Sequence, residues 1–204
     1  MLRILGRVSS LNVRKVLWTC DELGLAYERE DYGIGFAPVD TPSFLTLNPN
    51  AQVPVLIEDD FVLWESNAIC RYLATGSPLL PENRQSRAFV EQWMDWQATE
   101  LNPAWRYAFL GLHWRYPDYQ DSERIEASIR AWNDKMALLD VQLARTDAWV
   151  TGDTFTLADI VLGISANRWL RTPIPRPDLP AVSDWHSRLC QRKAFLTYGP
   201  NGTV

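Results

Sequence analysis

Across the stretch "TGSPLLPEN", residues 75 to 83, the chain changes its hydrophobic period. Before it, short apolar runs rich in β-branched residues alternate with helical spacings. Beyond it, almost everything follows the helical spacing alone. The stretch itself carries Gly, Ser and two prolines, the composition of a linker. A chain patterned this way must join a small α/β unit to an all-helical one, with expected boundaries 1–77 and 84–204.

In the first unit "LRILGRV" reads as a short strand. Val13, Val16, Leu17, Cys20 and Leu23 then recur at helical spacing, and Gly24 suits a helix end. A second strand, "AYEREDY", precedes a loop rich in Gly and Pro and a short helix from Pro42 to Leu47. Val55–Ile57 and Phe61–Trp64 form an expected hairpin about Asp59-Asp60, and a helix from Ser66 to about Thr75 closes the unit. The order β-α-β, α, β-β-α requires a right-handed crossover.

After the linker, Arg84–Leu101 carries Phe89, Trp93 and Trp96 on one expected stripe, and Pro103 should kink or end that helix. Ser122–Leu143 is amphipathic, with Ile125, Ile129, Trp132, Met136 and Leu139. Thr156–Leu170 is apolar enough for a central buried helix, and Leu179–Arg192 precedes an irregular tail. "DTFTLADI" sets Thr156 at an N-cap with Asp159 three residues on, and Phe155 and Ile160 at the two staple positions. This is a capping box, read as helix initiation rather than catalysis.

A net charge of -5 over 204 residues lacks the basic footprint of a nucleic-acid binder. No run approaches the ~18 apolar residues of a membrane span. "MLRILGRVSS" is interrupted too soon to read as a signal peptide. Cys20, Cys70 and Cys190 are well separated and form no CxxC, so reduced thiols in a cytoplasmic protein are expected. His113 and His186 stand far apart without clustered cysteines, and no metal site is expected.

Polar groups open two helices of the first unit. Ser9, Ser10 and Asn12 follow the first strand. Alone they are ordinary N-cap residues. They also stand at the carboxyl end of a strand, where α/β sheets place ligands. Glu65-Ser66 opens the last helix of the unit. Free N–H groups there welcome an anion, and the carboxylate beside them can hold an ammonium group. The end of an amino acid carries both charges on one carbon and suits that pair. Pro54 cannot donate to a sheet ladder, so it belongs at a strand's first residue or on an edge.

The segments "SSLNVRKVL", "NAQVPVL", "ESNAICRYL" and "GDTFTLADI", in this order and spacing, resemble the soluble bacterial glutathione S-transferases, with similarity to the theta and phi classes. The resemblance covers nearly the whole chain. It implies a thioredoxin-like α/β domain followed by an all-α domain, glutathione as co-substrate without a metal, and a homodimer. It also implies detoxification of a small hydrophobic electrophile in the cytoplasm. On these motifs the Val53–Pro54 bond is cis, and the main chain of Val53 pairs with the cysteinyl backbone of glutathione like an added strand. Gln52 makes a polar contact with the same tripeptide, and Glu65 and Ser66 hold its γ-glutamyl end.

The same resemblance places Ser10 on the activating hydroxyl, with Ser9 as second choice. Asn12 falls where some bacterial relatives carry an asparagine near the sulfur. A free thiol has a pKa near 8.5, so a hydroxyl bond and a helix N-terminus at the sulfur favour the reactive thiolate. No tyrosine lies in the first loop and no cysteine at the activating position, unlike the tyrosine-dependent, omega and beta classes. Cys20 falls on an apolar stripe and reads as core. The electrophile site should lie between the domains, walled by Trp105, Phe109 and His113, with Trp114 close by in "NPAWRYAFLGLHWRY". Two rival readings stay open: a glutathione-dependent disulfide reductase or peroxidase, in which Asn12 matters as much as Ser10, and a non-catalytic glutathione-binding protein.

Overall fold

The computed structural model describes residues 1–200; the last four residues of the expected 84–204 unit lie outside them. The first part contains β1 (Leu2–Leu5), α1 (Leu11–Leu23), β2 (Glu28–Glu30), α2 (Pro42–Leu45), β3 (Val55–Glu58), β4 (Phe61–Trp64) and α3 (Ser66–Ala74). Its sheet has the order β2-β1-β3-β4. β1 runs parallel to β2, while β1–β3 and β3–β4 are antiparallel. A parallel pair needs a crossover, which α1 supplies.

Alternation along the strands divides the core in two. Leu2, Ile4 and Leu56 join Val13, Val16, Leu17 and Ile69 beneath the helices. Leu5 and Val55 point the other way, onto Phe44 of α2. Gly24 ends α1 in the left-handed region (φ 64), which costs glycine little, and the Leu25 N–H reaches back to the Cys20 carbonyl at 3.0 Å. Gly6 leaves β1 at φ 151, and a Cβ there would lie 2.5 Å from Val13 Cγ2 and 3.1 Å from Val53 Cβ. The lack of a side chain lets the end of β1, the start of α1 and Val53 converge. Pro54 stands immediately ahead of β3, which is paired on both sides. Of the two options for a strand proline, it takes the first and not the edge.

The second part is helical: α4 (Arg84–Trp96), a π-helical turn (Gln97–Leu101), α5 (Asn102–Leu112), a 3-10 turn (Pro117–Tyr119), α6 (Ser122–Thr146), α7 (Leu157–Arg171), α8 (Pro180–Leu189) and α9 (Lys193–Tyr198). Every residue of α7 from Leu157 to Trp169 is buried, as its apolar sequence anticipates.

Three expectations are corrected here. Phe89 is 55% exposed; the buried line of α4 is Val90, Trp93 and Met94, one step around the helix, and Trp96 stands at its margin, edge-on to Trp93. Pro103 does not end the helix. The Asn102 N–H reaches back five residues to the Gln97 carbonyl, and the π turn formed there carries the chain past the proline. The described part of the tail is not irregular: it forms α9, which sets Phe195 against Trp18, ring centroids 4.8 Å apart.

Asp159 does more than begin α7. Its Oδ2 accepts from the Thr156 N–H (2.9 Å) and hydroxyl (3.2 Å), and its Oδ1 from the Val150 N–H and the Trp185 indole N–H, both at 2.9 Å. One fully buried carboxylate thus ties α7 to α8 and to the loop before it. Burial pushes its pKa up to about 6, with the four donors pulling the other way.

Candidate active site

A cavity of about 870 Å³ opens between the N-terminus of α1 and the face of α5. That size is ordinary for a small-molecule site. On one side it is lined by Ser9, Ser10, Asn12, Gln52 and Val53, on the other by Trp105, Phe109, Trp114 and Tyr116.

Ser10 holds the N-cap position of α1 with extended backbone (φ -78, ψ 125), yet its hydroxyl makes no capping bond. The simplest account of a serine at a helix start therefore does not apply: the backbone caps, the hydroxyl is left uncommitted, and the residue lines the cavity. Ser9 is differently placed, accepting from Arg7 Nη1 at 2.5 Å. The Val53–Pro54 bond is cis. Among the described residues Val53 takes part in no main-chain hydrogen bond outside the strands. Asn48, buried, braces this loop by donating to the Gln52 carbonyl (2.9 Å) and accepting from the Asn50 N–H (3.0 Å).

Glu65 and Ser66 stand at the start of α3. Glu65 has φ 74 and ψ 109, a region costly for any residue with a Cβ, and its exposed carboxylate caps nothing. Ser66 is the first residue of the helix and only 6% exposed. Neither lines the cavity itself.

The opposite wall is aromatic. Trp105 and Phe109 meet edge to face, centroids 5.4 Å apart. Trp105 is held through a relay that crosses between the domains. Its indole N–H donates to Asn102 Oδ1 (3.0 Å), which also accepts from Gln97 Nε2 (2.8 Å). Gln97 Oε1 in turn accepts from Lys15 Nζ of α1 at 2.7 Å, and Gln97 Nε2 donates to Ser165 Oγ at 2.9 Å. Lys15 is fully buried, and burial brings its pKa down to about 8. The π turn is thus where a buried glutamine anchors the wall. Behind Phe109, His113 stacks on the ring at 5.0 Å. It does not line the cavity; Trp114 does. Burial, and then Arg168, hold the His113 pKa below its ordinary value.

Residues 2–75 match the family model for the N-terminal domain of glutathione S-transferase, and residues 103–193 the model for its C-terminal domain. The chain is 37% identical over 199 residues to glutathione S-transferase GstB of Escherichia coli (strain K12), covering 95% of each. It belongs to the glutathione S-transferase family. A theta class glutathione S-transferase from Xanthomonas axonopodis pv. citri, with glutathione bound, superposes with a TM-score of 0.91 at 38% identity, over 98% of this chain and 97% of that one. The chain is also 29% identical to the disulfide-bond oxidoreductase YfcG of Escherichia coli (strain K12), covering 90% of this chain and 87% of that one.

Within this transferase fold, the expected residues fall into three groups. Ser9, Ser10, Asn12, Gln52, Val53, Trp105 and Phe109 meet in one cavity. Pro54, Glu65 and Ser66 sit outside its lining, and His113 stands behind its wall. The sequence alone does not single out Arg7, Arg168 or Asn48. Arg168 had a visible signal, a cation closing the apolar run "DIVLGISAN", whereas Arg7 and Asn48 sit in loops whose residue types are commonplace there.

Proposed function

We propose that this protein is a cytoplasmic glutathione transferase acting as a homodimer, with the division of labour at 1–77 for glutathione and 84–204 for the electrophile. The observation that carries the reading is a serine hydroxyl at a helix N-terminus, free of any cap, facing an aromatic wall across one cavity. Val53 offers unpaired main-chain groups to the cysteinyl backbone, Gln52 a polar side chain, and Glu65 and Ser66 the charge pattern suited to an α-amino acid end. With the tripeptide anchored there, Ser10 donates a hydrogen bond to the sulfur. The thiol proton passes to solvent, and the thiolate attacks an electrophilic carbon lying on Trp105 and Phe109, whose leaving group departs with the electron pair of its bond to that carbon. Such a role fits detoxification.

The test is Ser10→Ala. The variant should still bind glutathione through Val53, Glu65 and Ser66. Its bound thiol should ionise at higher pH in an ultraviolet titration, and turnover of a chlorinated aromatic at pH ~6.5 should fall more than affinity does, since each pKa unit is ~1.36 kcal/mol. An unchanged titration makes Ser10 a bystander. A second reading, glutathione-dependent disulfide reduction, draws on the likeness to YfcG and on Asn12 lining the cavity. Loss of disulfide reduction in Asn12→Ala, with negligible conjugation in the parent, would favour it.

A further inference from the structure

Arg168 lies in the last turn of α7 and lines the cavity, yet is only 5% exposed. Its guanidinium sits against two aromatic faces, 4.1 Å from the Phe109 centroid and 4.6 Å from that of Trp105. A buried guanidinium is normally matched by a carboxylate. Here Nε is buried with no hydrogen-bond partner, and no acidic side chain pairs with the group among the described residues. The aromatic faces supply part of the missing compensation.

The neighbouring charges make the mismatch larger. Arg7 also lines the cavity with a buried, unpartnered Nε, and the exposed Arg106 lines it too. Among the described residues no aspartate or glutamate lines the cavity. Burial, followed by repulsion from Arg14 and Arg7, brings Arg168 down to about 9, so it is still cationic at neutral pH. In a chain of net charge -5, this is one cavity whose lining charges are all positive.

We propose that the second substrate of this enzyme carries a carboxylate, which pairs with Arg168 while its reactive carbon faces Ser10. The inference rests on the transferase reading of the same cavity. With an arylmethyl chloride bearing a carboxylate, the glutathione sulfur attacks the benzylic carbon, the new C–S bond replaces C–Cl, and chloride leaves with the electron pair. The thiol proton goes to solvent and the carboxylate is unchanged.

The full-length protein is assayed with para-(chloromethyl)benzoate and para-(chloromethyl)benzamide, each corrected for its uncatalysed rate. The parent should favour the carboxylate in kcat/KM by ~10-fold or more, the scale of one charge-assisted hydrogen bond. Arg168→Met should bring that ratio towards one, and Arg168→Lys should keep part of it. Quenching of tryptophan fluorescence by para-toluate and para-toluamide reads the same preference without turnover. Tight toluate binding that depends on Arg168, with no conjugation of any electrophile, would leave the anion site standing and remove the transferase reading. Equal values for acid and amide in the parent overturn the proposal without any variant. A parallel loss of glutathione affinity in Arg168→Met also overturns it, because the anion held is then a carboxylate of glutathione. So does a raised pKa of the bound thiol with an unchanged ratio, because the cation then serves the thiolate.

Discussion

Asp159→Ala is the substitution whose cost the structure changes most. Read as a helix cap alone, it should cost ~1–2 kcal/mol. The carboxylate, however, receives four donors. The Thr156 hydroxyl can turn to Thr151, 3.3 Å away, which leaves three buried donors without an acceptor: the N–H groups of Val150 and Thr156 and the Trp185 indole. At ~2 kcal/mol for each stranded group, the loss is ~6 kcal/mol. Against it stands the burial of the charge. A rise in pKa from 3.8 to about 6 means that ionising the native carboxyl at neutral pH costs ~3 kcal/mol more than ionising it in the unfolded chain. The net destabilisation at pH 7.5 is therefore ~3 kcal/mol.

The two terms separate with pH. Because the native pKa lies above the unfolded one, the folded protein keeps this proton longer. The contribution of Asp159 is full below pH ~4 and falls as pH rises to about 6. The difference between parent and Asp159→Ala should accordingly shrink by ~3 kcal/mol between pH ~4 and ~7. Urea unfolding followed by tryptophan fluorescence measures both, with the slope m confirming that the transition stays comparable. A difference that grows with pH, or a midpoint equal to the parent's at pH ~4.5, refutes the reasoning.

Two further substitutions address the start of α3. Ser66→Ala should weaken glutathione binding by ~1–3 kcal/mol, as its carboxylate loses a hydroxyl partner; calorimetry giving equal dissociation constants would place that carboxylate elsewhere. Glu65→Gly should raise thermal stability, because glycine tolerates φ 74 and ψ 109, by ~1 kcal/mol, while glutathione affinity falls; a variant that gains neither and loses neither would show the backbone strain to be unrelated to binding.

The division of the chain was legible because strands and helices write different periods, and both kept them here. β1, α1, the hairpin and α7 appear where alternation and helical spacing put them. Phe89 shows the limit of that reasoning: in α4 two adjacent stripes were both aromatic or aliphatic, and only contact with α7 decides which is inside. The π turn was hidden for a related reason. It depends on Gln97 reaching Lys15 and Ser165, partners 82 and 68 residues away. In the site, residue type near helix starts singled out Ser10, which lines the cavity, and Glu65-Ser66, which do not, since local chemistry decides what a helix N-terminus can offer. It could not identify Arg168. A lone arginine in an apolar run reads as a helix end, and what makes it informative is a lack, that of any carboxylate paired with it among the described residues. A buried cation left unmatched among the described residues costs stability that packing alone does not recover, and on the proposal above a substrate carboxylate would offset that cost.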